Sequence, residues 1–192
     1  MHTYSCDGKR QKTVYAFAFA LAIPLAYICH VIMVRFSIPW YIDSPSILGL
    51  FGLIVVLYNT VLWKISFCGF RLGGVPDYNG IWKGHLISSF NNESFDCTLE
   101  IRQTWNCISC KLLTGTSKSY SYAASIEIKS FPSEGLTWLY SNTPNKDAPK
   151  ELRIHNGVAR VELKGTTKIE GEYYNCARDR CTYGTLSLSR ID

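Results

Sequence analysis

The chain changes rhythm near residue 75: apolar residues run together before it and alternate with polar ones after it. Thr13 to Val34 is a run of 22 residues without Asp, Glu, Lys or Arg, and Ser44 to Trp63 is a second run of 20. Crossing about 30 Å of hydrocarbon at about 1.5 Å per residue takes about 20 apolar residues, so both runs are long enough to span a bilayer as helices. Phe51-Gly52-Leu53-Ile54-Val55-Val56-Leu57 lacks the polar stripe of a soluble helix. Pro24 and His30 interrupt the first run; membrane helices tolerate Pro, and a His near the end can reach the interface. A cleaved signal peptide fits less well, because Cys29-His30-Val31 is a poor cleavage site. Residues 1–68 therefore predict a pair of transmembrane helices at about 13–34 and 44–63.

Residues 69–79 (GFRLGGVPDYN) read as a linker, punctuated by Gly73-Gly74 and Pro76. Beyond it, strand-like segments fall at about 80–90, 95–104, 107–114, 120–130, 136–141, 157–164, 168–175 and 182–191. Leu99-Glu100-Ile101-Arg102, Ile126-Glu127-Ile128-Lys129 and Val161-Glu162-Leu163-Lys164 alternate most clearly, giving one apolar and one wet face. Asn91-Asn92, Gly115, Pro132-Ser133-Glu134-Gly135, Asn156-Gly157 and Gly165 supply turns. Short strands joined by short turns predict an antiparallel up-and-down barrel of about eight strands over residues 80–192. Closure removes exposed edges and leaves an interior able to hold one small ligand. An open sandwich is the competing architecture. Charges along the strands exclude an outer-membrane barrel.

Charge adds an orientation. Residues 1–74 carry 6 Lys and Arg against 2 acids, and residues 75–192 carry 14 against 13. A nearly neutral β region argues against DNA or RNA bound through bulk charge. Lys9, Arg10 and Lys12 precede the first helix, Lys64 and Arg71 follow the second, and the connecting loop holds only Arg35. The positive-inside rule places both termini and the barrel in the cytoplasm, with the loop outside. Trp40, Tyr41 and Trp63 suit the interfacial belt. Cys97, Cys107, Cys110, Cys176 and Cys181 form an odd set that a cytosolic setting would keep reduced. Cys107-Ile108-Ser109-Cys110 has no second CxxC, and at strand spacing its cysteines face opposite ways, so no metal site is expected.

Several short motifs recur in order. Tyr78-x-Gly80-x-Trp82-x-Gly84 and Ser88-Ser89-Phe90 open the barrel, followed by Ile101-x-Gln103-Thr104-Trp105 and Ser117-x-Ser119-x-Ser121. Tyr140-x-Asn142-x-Pro144, His155-x-Gly157, Gly171-x-Tyr173-Tyr174 and Arg178-x-Arg180-x-x-Tyr183-Gly184 complete the set. Behind a helix pair, this order resembles the β-barrel membrane effectors of bacterial CD-NTase anti-phage signalling (CBASS). The resemblance implies a receptor for a cyclic dinucleotide second messenger made by a CD-NTase. It also implies self-association on binding, disruption of the inner membrane by the helices, and abortive infection. No cofactor is implied. Gly49 and Gly52 offer close packing between assembled helices, although their spacing is not GxxxG.

A cyclic dinucleotide offers bases to stack on aromatic or guanidinium surfaces and phosphates to bond hydroxyls, amides, Arg or Lys. Gln103 and Trp105 can read and stack a base, or plug the barrel. Ser117 and Ser119 share one face, as a hydroxyl row for phosphate or as a solvated edge. Tyr140 can stack on a base, and Asn142 can bond its edge or cap a turn. His155 is a ligand contact or a turn residue. Tyr174, Arg178 and Arg180 can clamp a phosphate beside a base, or serve as loop charges. Trp82 is expected to plug the barrel. No Walker loop, HExxH, GxSxG or paired-carboxylate signature is present, so no catalytic residues are expected. The other functional classes are a lipocalin-like carrier of a small apolar ligand and a protein-binding scaffold.

Overall fold

The computed structural model describes residues 1–7, 11–38, 45–67, 70–89, 92–128, 134–146, 148, 153–177 and 180–191. Lys9, Arg10, Trp40, Tyr41, Arg178 and the turns at Asn91 and Pro132-Ser133 lie outside the described residues. The chain forms two compact units, Lys9–Gly74 and, separately, Met1–Gly8 with Val75–Asp192.

The first unit is helical. α1 (Gln11–Arg35) has 25 residues with Pro24 inside it, about 38 Å at 1.5 Å per residue. α2 (Ile47–Thr60) starts at Ser46, whose hydroxyl accepts from Gly49 N at 3.0 Å and so satisfies one open amide of the first turn. A 3-10 turn (Leu62–Lys64) follows, then a short hairpin of β2 (Ser66–Phe67) and β3 (Phe70–Arg71). Among the described helices, α1 is long and apolar enough to cross a membrane, while α2 is apolar but only 14 residues long. Among the described residues, one helix reaches the length of a span where the sequence predicts two. Ala18 and Ala22, one turn apart on α1, are buried, as are Leu50 and Tyr58 on α2, and Phe19 meets Phe51 edge-on at 6.0 Å. Small side chains let helix backbones approach; in this pair the alanines serve, whereas a Cβ on Gly52 would meet nothing within 4 Å.

The second unit is β-structure. β4 (Gly80–Ser88), β5 (Ser94–Gln103), β6 (Cys107–Thr114), β7 (Ser117–Glu127), β8 (Gly135–Pro144), β9 (His155–Lys164), β10 (Lys168–Ala177) and β11 (Arg180–Arg190) follow one another. Each pairs antiparallel with the next, and β11 returns to β4. A ninth strand, β1 (His2–Cys6), departs from the expected plan. It lies antiparallel to β6 (His2↔Ile108, Thr3↔Cys107) and parallel to β7 (Tyr4↔Ala124 to Cys6↔Ile126), and the strand order closes as a barrel through it. Residues 2–6, expected to flank the first helix, therefore belong to the sheet.

The seam explains why. β6 and β7 pair only from Lys111↔Tyr120 to Leu113↔Lys118, near their connecting turn. Below it they part, leaving two edges whose backbone groups need partners. The register of β7 against β8 shifts between Ser121 and Ala123, where the handover to β1 occurs. Ser121 Oγ accepts from Cys110 N at 2.8 Å and lies 2.8 Å from His2 Nε2, so one hydroxyl ties three strands together.

The inward face sorts into two ends. At the end where β4 begins and β11 finishes, Trp82, Leu99, Ile101, Trp105, Ile108, Ile126, Leu136, Ile169 and Leu188 are almost fully buried. The linker closes this end: Trp82 Nε1 donates to Tyr78 O at 3.0 Å, and the Arg190 guanidinium lies 4.5 Å over the Trp82 ring. Burial of this apolar set is the main stabilising contribution of the barrel, about 1.5–3 kcal/mol per large side chain. Cys181 is disulfide-bonded, against the expectation of uniformly reduced cysteines, while Cys97, Cys107 and Cys110 are free thiols.

Candidate functional site

At the opposite end the same inward rows turn polar. β4 ends on Ser88, β6 on Thr114, and β7 begins with Ser117 and Ser119. β8 brings Tyr140 and Asn142, β9 His155, β10 Tyr173 and Asn175, and β11 Thr182. Register brings them together: Ser119 opposite Asn142, Asn142 opposite His155, Ser121 opposite Tyr140, and Asn175 opposite Thr182. The result is a cup of hydroxyls, amides, one imidazole and two phenols above an apolar floor that includes Trp138.

Hydrogen bonds hold the cup in shape. Asn142 Nδ2 and Asn175 Nδ2 lie 3.3 and 3.2 Å from His155 Nε2, and His155 Nδ1 lies 2.8 Å from the Arg153 carbonyl. The Thr182 hydroxyl donates to Asn175 Oδ1, and Thr114 and Ser117 hydroxyls lie 3.1 Å apart. Burial pushes the Tyr140 phenol well above its ordinary value, partly offset by a hydrogen bond with Asn175. Burial also raises Tyr173, against a hydrogen bond with Ser88. Both phenols therefore stay protonated at neutral pH, available as donors to an anionic oxygen.

Two glycines make room for those rings. A Cβ on Gly157 would stand 2.5 Å from the Tyr140 ring, and one on Gly184 would stand 2.5 Å from the Tyr173 ring. Each tyrosine lies across a strand that has no side chain beneath it, so any larger residue would drive the ring into the cup.

Five predicted site residues, Ser117, Ser119, Tyr140, Asn142 and His155, share this cup. Gln103 and Trp105 do not. Gln103 sits at the closed end, accepting from Tyr78 N at 2.8 Å and donating to Pro76 O at 3.0 Å, so it pins the linker. Trp105 is 1% exposed in the same apolar plug. Tyr174 is also displaced: strand parity turns it outward, half exposed, with its hydroxyl donating to Glu172. Its neighbour Tyr173 takes the inward place. Arg180 begins β11 at the cup end, but nothing beyond its backbone is described, and Arg178 lies outside the described residues. Sequence reasoning missed Ser88, Thr114, Tyr173, Asn175 and Thr182. Asn175 carries the parity of Tyr173, and that alternation was the signal available.

Outside the barrel, Ser187, His85 and Asp96 stand side by side on β11, β4 and β5, with His85 Nδ1 2.8 Å from Asp96 Oδ1. The pair borders a wide-open groove of about 590 Å³ lined also by Lys83 and Thr98. With side chains 67% and 91% exposed, it is solvated and contributes little. It also has none of the enclosure that acyl-transfer chemistry uses. The cup, where polar groups converge inside the barrel, is the stronger site.

Comparison with known proteins adds a family to this geometry. Residues 74–190 match the family model of the Cap15 cyclic dinucleotide receptor domain. Over 147 residues the chain is 33% identical to the CD-NTase-associated protein 15 of Yersinia aleksiciae, covering 75% of this chain and 69% of that protein. The match to the receptor domain takes in every strand from β4 to β11, and with it the whole cup. The chain belongs to the Cap15 cyclic dinucleotide receptor domain family.

Proposed function

We propose that this protein is a CBASS effector whose barrel binds a cyclic dinucleotide made by a CD-NTase. Binding drives self-association, and the helices then disrupt the bacterial inner membrane and abort infection. The role is that of a receptor, without catalysis. The observation that carries the reading is the lumen-facing cup of Ser117, Ser119, Tyr140, Asn142, His155 and Asn175, in a chain of this family. Hydroxyls, amides and protonated phenols suit singly charged phosphates and base edges. The apolar half of the lumen is filled by its own side chains, which disfavours an apolar cargo.

The sheet supports a topology as well. β1 precedes α1 and β4 follows α2, and both lie in one barrel. A chain that leaves and returns to one side of a membrane crosses it an even number of times. If α1 crosses, the stretch from Ile47 through Lys64 must cross back, and its apolar character fits that role. Basic residues at both flanks put the barrel in the cytoplasm. The face of α2 bearing Gly52 is open to another copy.

The test is binding of a panel of cyclic dinucleotides, varied in both bases and phosphate linkages, to the full chain in detergent, read by thermal shift. Saturable stabilisation by one of them, lost in Ser117→Ala/Ser119→Ala, is expected. Flat curves across the panel, from protein with an intact melting transition, would sink the receptor reading.

A further inference from the structure

Among the described residues, one buried side-chain polar atom of the cup has no hydrogen-bond partner. His155 Nδ1 lies 2.8 Å from the Arg153 carbonyl, which can only accept, so Nδ1 carries the ring proton and Nε2 presents a lone pair. The amide nitrogens of Asn142 and Asn175 both approach that lone pair, at 3.3 and 3.2 Å. Turning either amide over would set a carbonyl oxygen against Nε2, lone pair to lone pair. Both amides are thus fixed with their NH2 groups on His155 and their oxygens elsewhere. The oxygen of Asn175 accepts from Thr182. The oxygen of Asn142 is buried with no hydrogen-bond partner among the described residues. Buried carbonyls of this kind are costly unless a donor arrives.

We propose that Asn142 Oδ1 is a one-way acceptor that reads an N–H on a base edge of the ligand, and that His155 is the positioning residue fixing its polarity. A free Asn amide offers a donor and an acceptor and adapts to amino or keto edges by flipping. Held by His155, Asn142 can only accept at this point. Amino and keto isosteres, such as cytosine and uracil or adenine and hypoxanthine, exchange donor for acceptor there. The cup distinguishes them, because a keto oxygen would face the Asn142 oxygen. Ser119, directly opposite Asn142, carries a hydroxyl that gives or takes a bond and so tolerates either neighbour. This inference rests on the receptor reading and refines it.

The experiment measures affinities of the full chain in detergent for cyclic dinucleotides differing only by cytosine for uracil or adenine for hypoxanthine. The wild-type protein should separate at least one such pair by about ten- to hundredfold. Asn142→Leu should lower affinity for the preferred member and reduce the ratio to near one. His155→Leu frees the amide to turn, so the ratio should shrink by a larger factor than the affinity for the preferred member falls. Melting temperatures of the variants separate these effects from unfolding. Equal affinities within both pairs, or a ratio that survives both Asn142→Leu and His155→Leu in folded protein, would overturn the proposal and leave the receptor reading standing. No binding by wild-type protein would remove the receptor reading itself, and this inference with it.

Discussion

The two ends of the barrel are built from the same strands with the same alternation, yet they serve opposite purposes. At the closed end the inward positions carry Trp82, Leu99, Ile101, Ile108 and Leu136, all at most 2% exposed. The amide buried there, that of Gln103, has both ends occupied by linker backbone groups. At the open end the inward positions carry hydroxyls and amides, and one amide oxygen is left over. A satisfied polar group stabilises the fold; an unsatisfied one at a mouth awaits a ligand. With the proposed site at the open end, stability and recognition would be segregated along one axis.

Breaking the closed end should cost most. Trp82→Ala removes a fully buried indole together with its hydrogen bond to Tyr78 and its contact with Arg190, and should destabilise the barrel by about 3–5 kcal/mol. Chemical denaturation followed by circular dichroism reads this; a loss below about 1 kcal/mol would contradict the plug. Next comes Gln103→Leu, which leaves Tyr78 N and Pro76 O unpartnered, at about 1–3 kcal/mol. If the substitution also abolished binding at unchanged stability, the division between the ends would be wrong.

Between the ends sit two thiols, and they sharpen the comparison through pH. Burial pushes Cys97 and Cys110 up from 9.0 to about 12. The folded barrel keeps protons that the unfolded chain releases above pH 9, so their contribution is whole below that and lost as pH climbs towards 12. The slope is about 1.4 kcal/mol per pH unit for each thiol. Denaturation at pH 8 and pH 10.5 should show the decline in wild-type protein and a flatter profile in Cys97→Ala/Cys110→Ala. Equal slopes would mean that water reaches these thiols.

The smallest stability effect is expected at the open end. Ser117→Ala/Ser119→Ala should change stability by under about 1 kcal/mol per site while cyclic dinucleotide binding collapses. Melting curves with and without nucleotide separate the two effects. A large loss of stability without ligand would show that this end, too, is structural.

The sequence carried much of this, unevenly. Strands with strict alternation, such as β5 and β9, were legible because period-two patterning is written residue by residue. Tyr140, Asn142 and His155, expected together at a ligand site, all fall on inward positions at the open end. Tyr174 falls outside the cup and its neighbour Tyr173 inside it, because one residue of register moves a side chain to the other face of the sheet. Gln103 and Trp105 have the right chemistry at the wrong end. Which end a strand terminus occupies depends on the direction of the chain around the barrel, and no local pattern states that.

The sequence by itself determined that an apolar helical segment precedes a barrel of alternating strands, because hydrophobic periodicity is local and strong enough to read. Only the tertiary structure decided that His2–Cys6 completes that barrel. Five residues carry no decisive period; their fate is set by unpaired backbone edges on β6 and β7, which exist only once the strands have parted. The same holds for Asn142: its oxygen becomes an unanswered acceptor only when β8, β9 and β10 bring two amides onto one imidazole nitrogen.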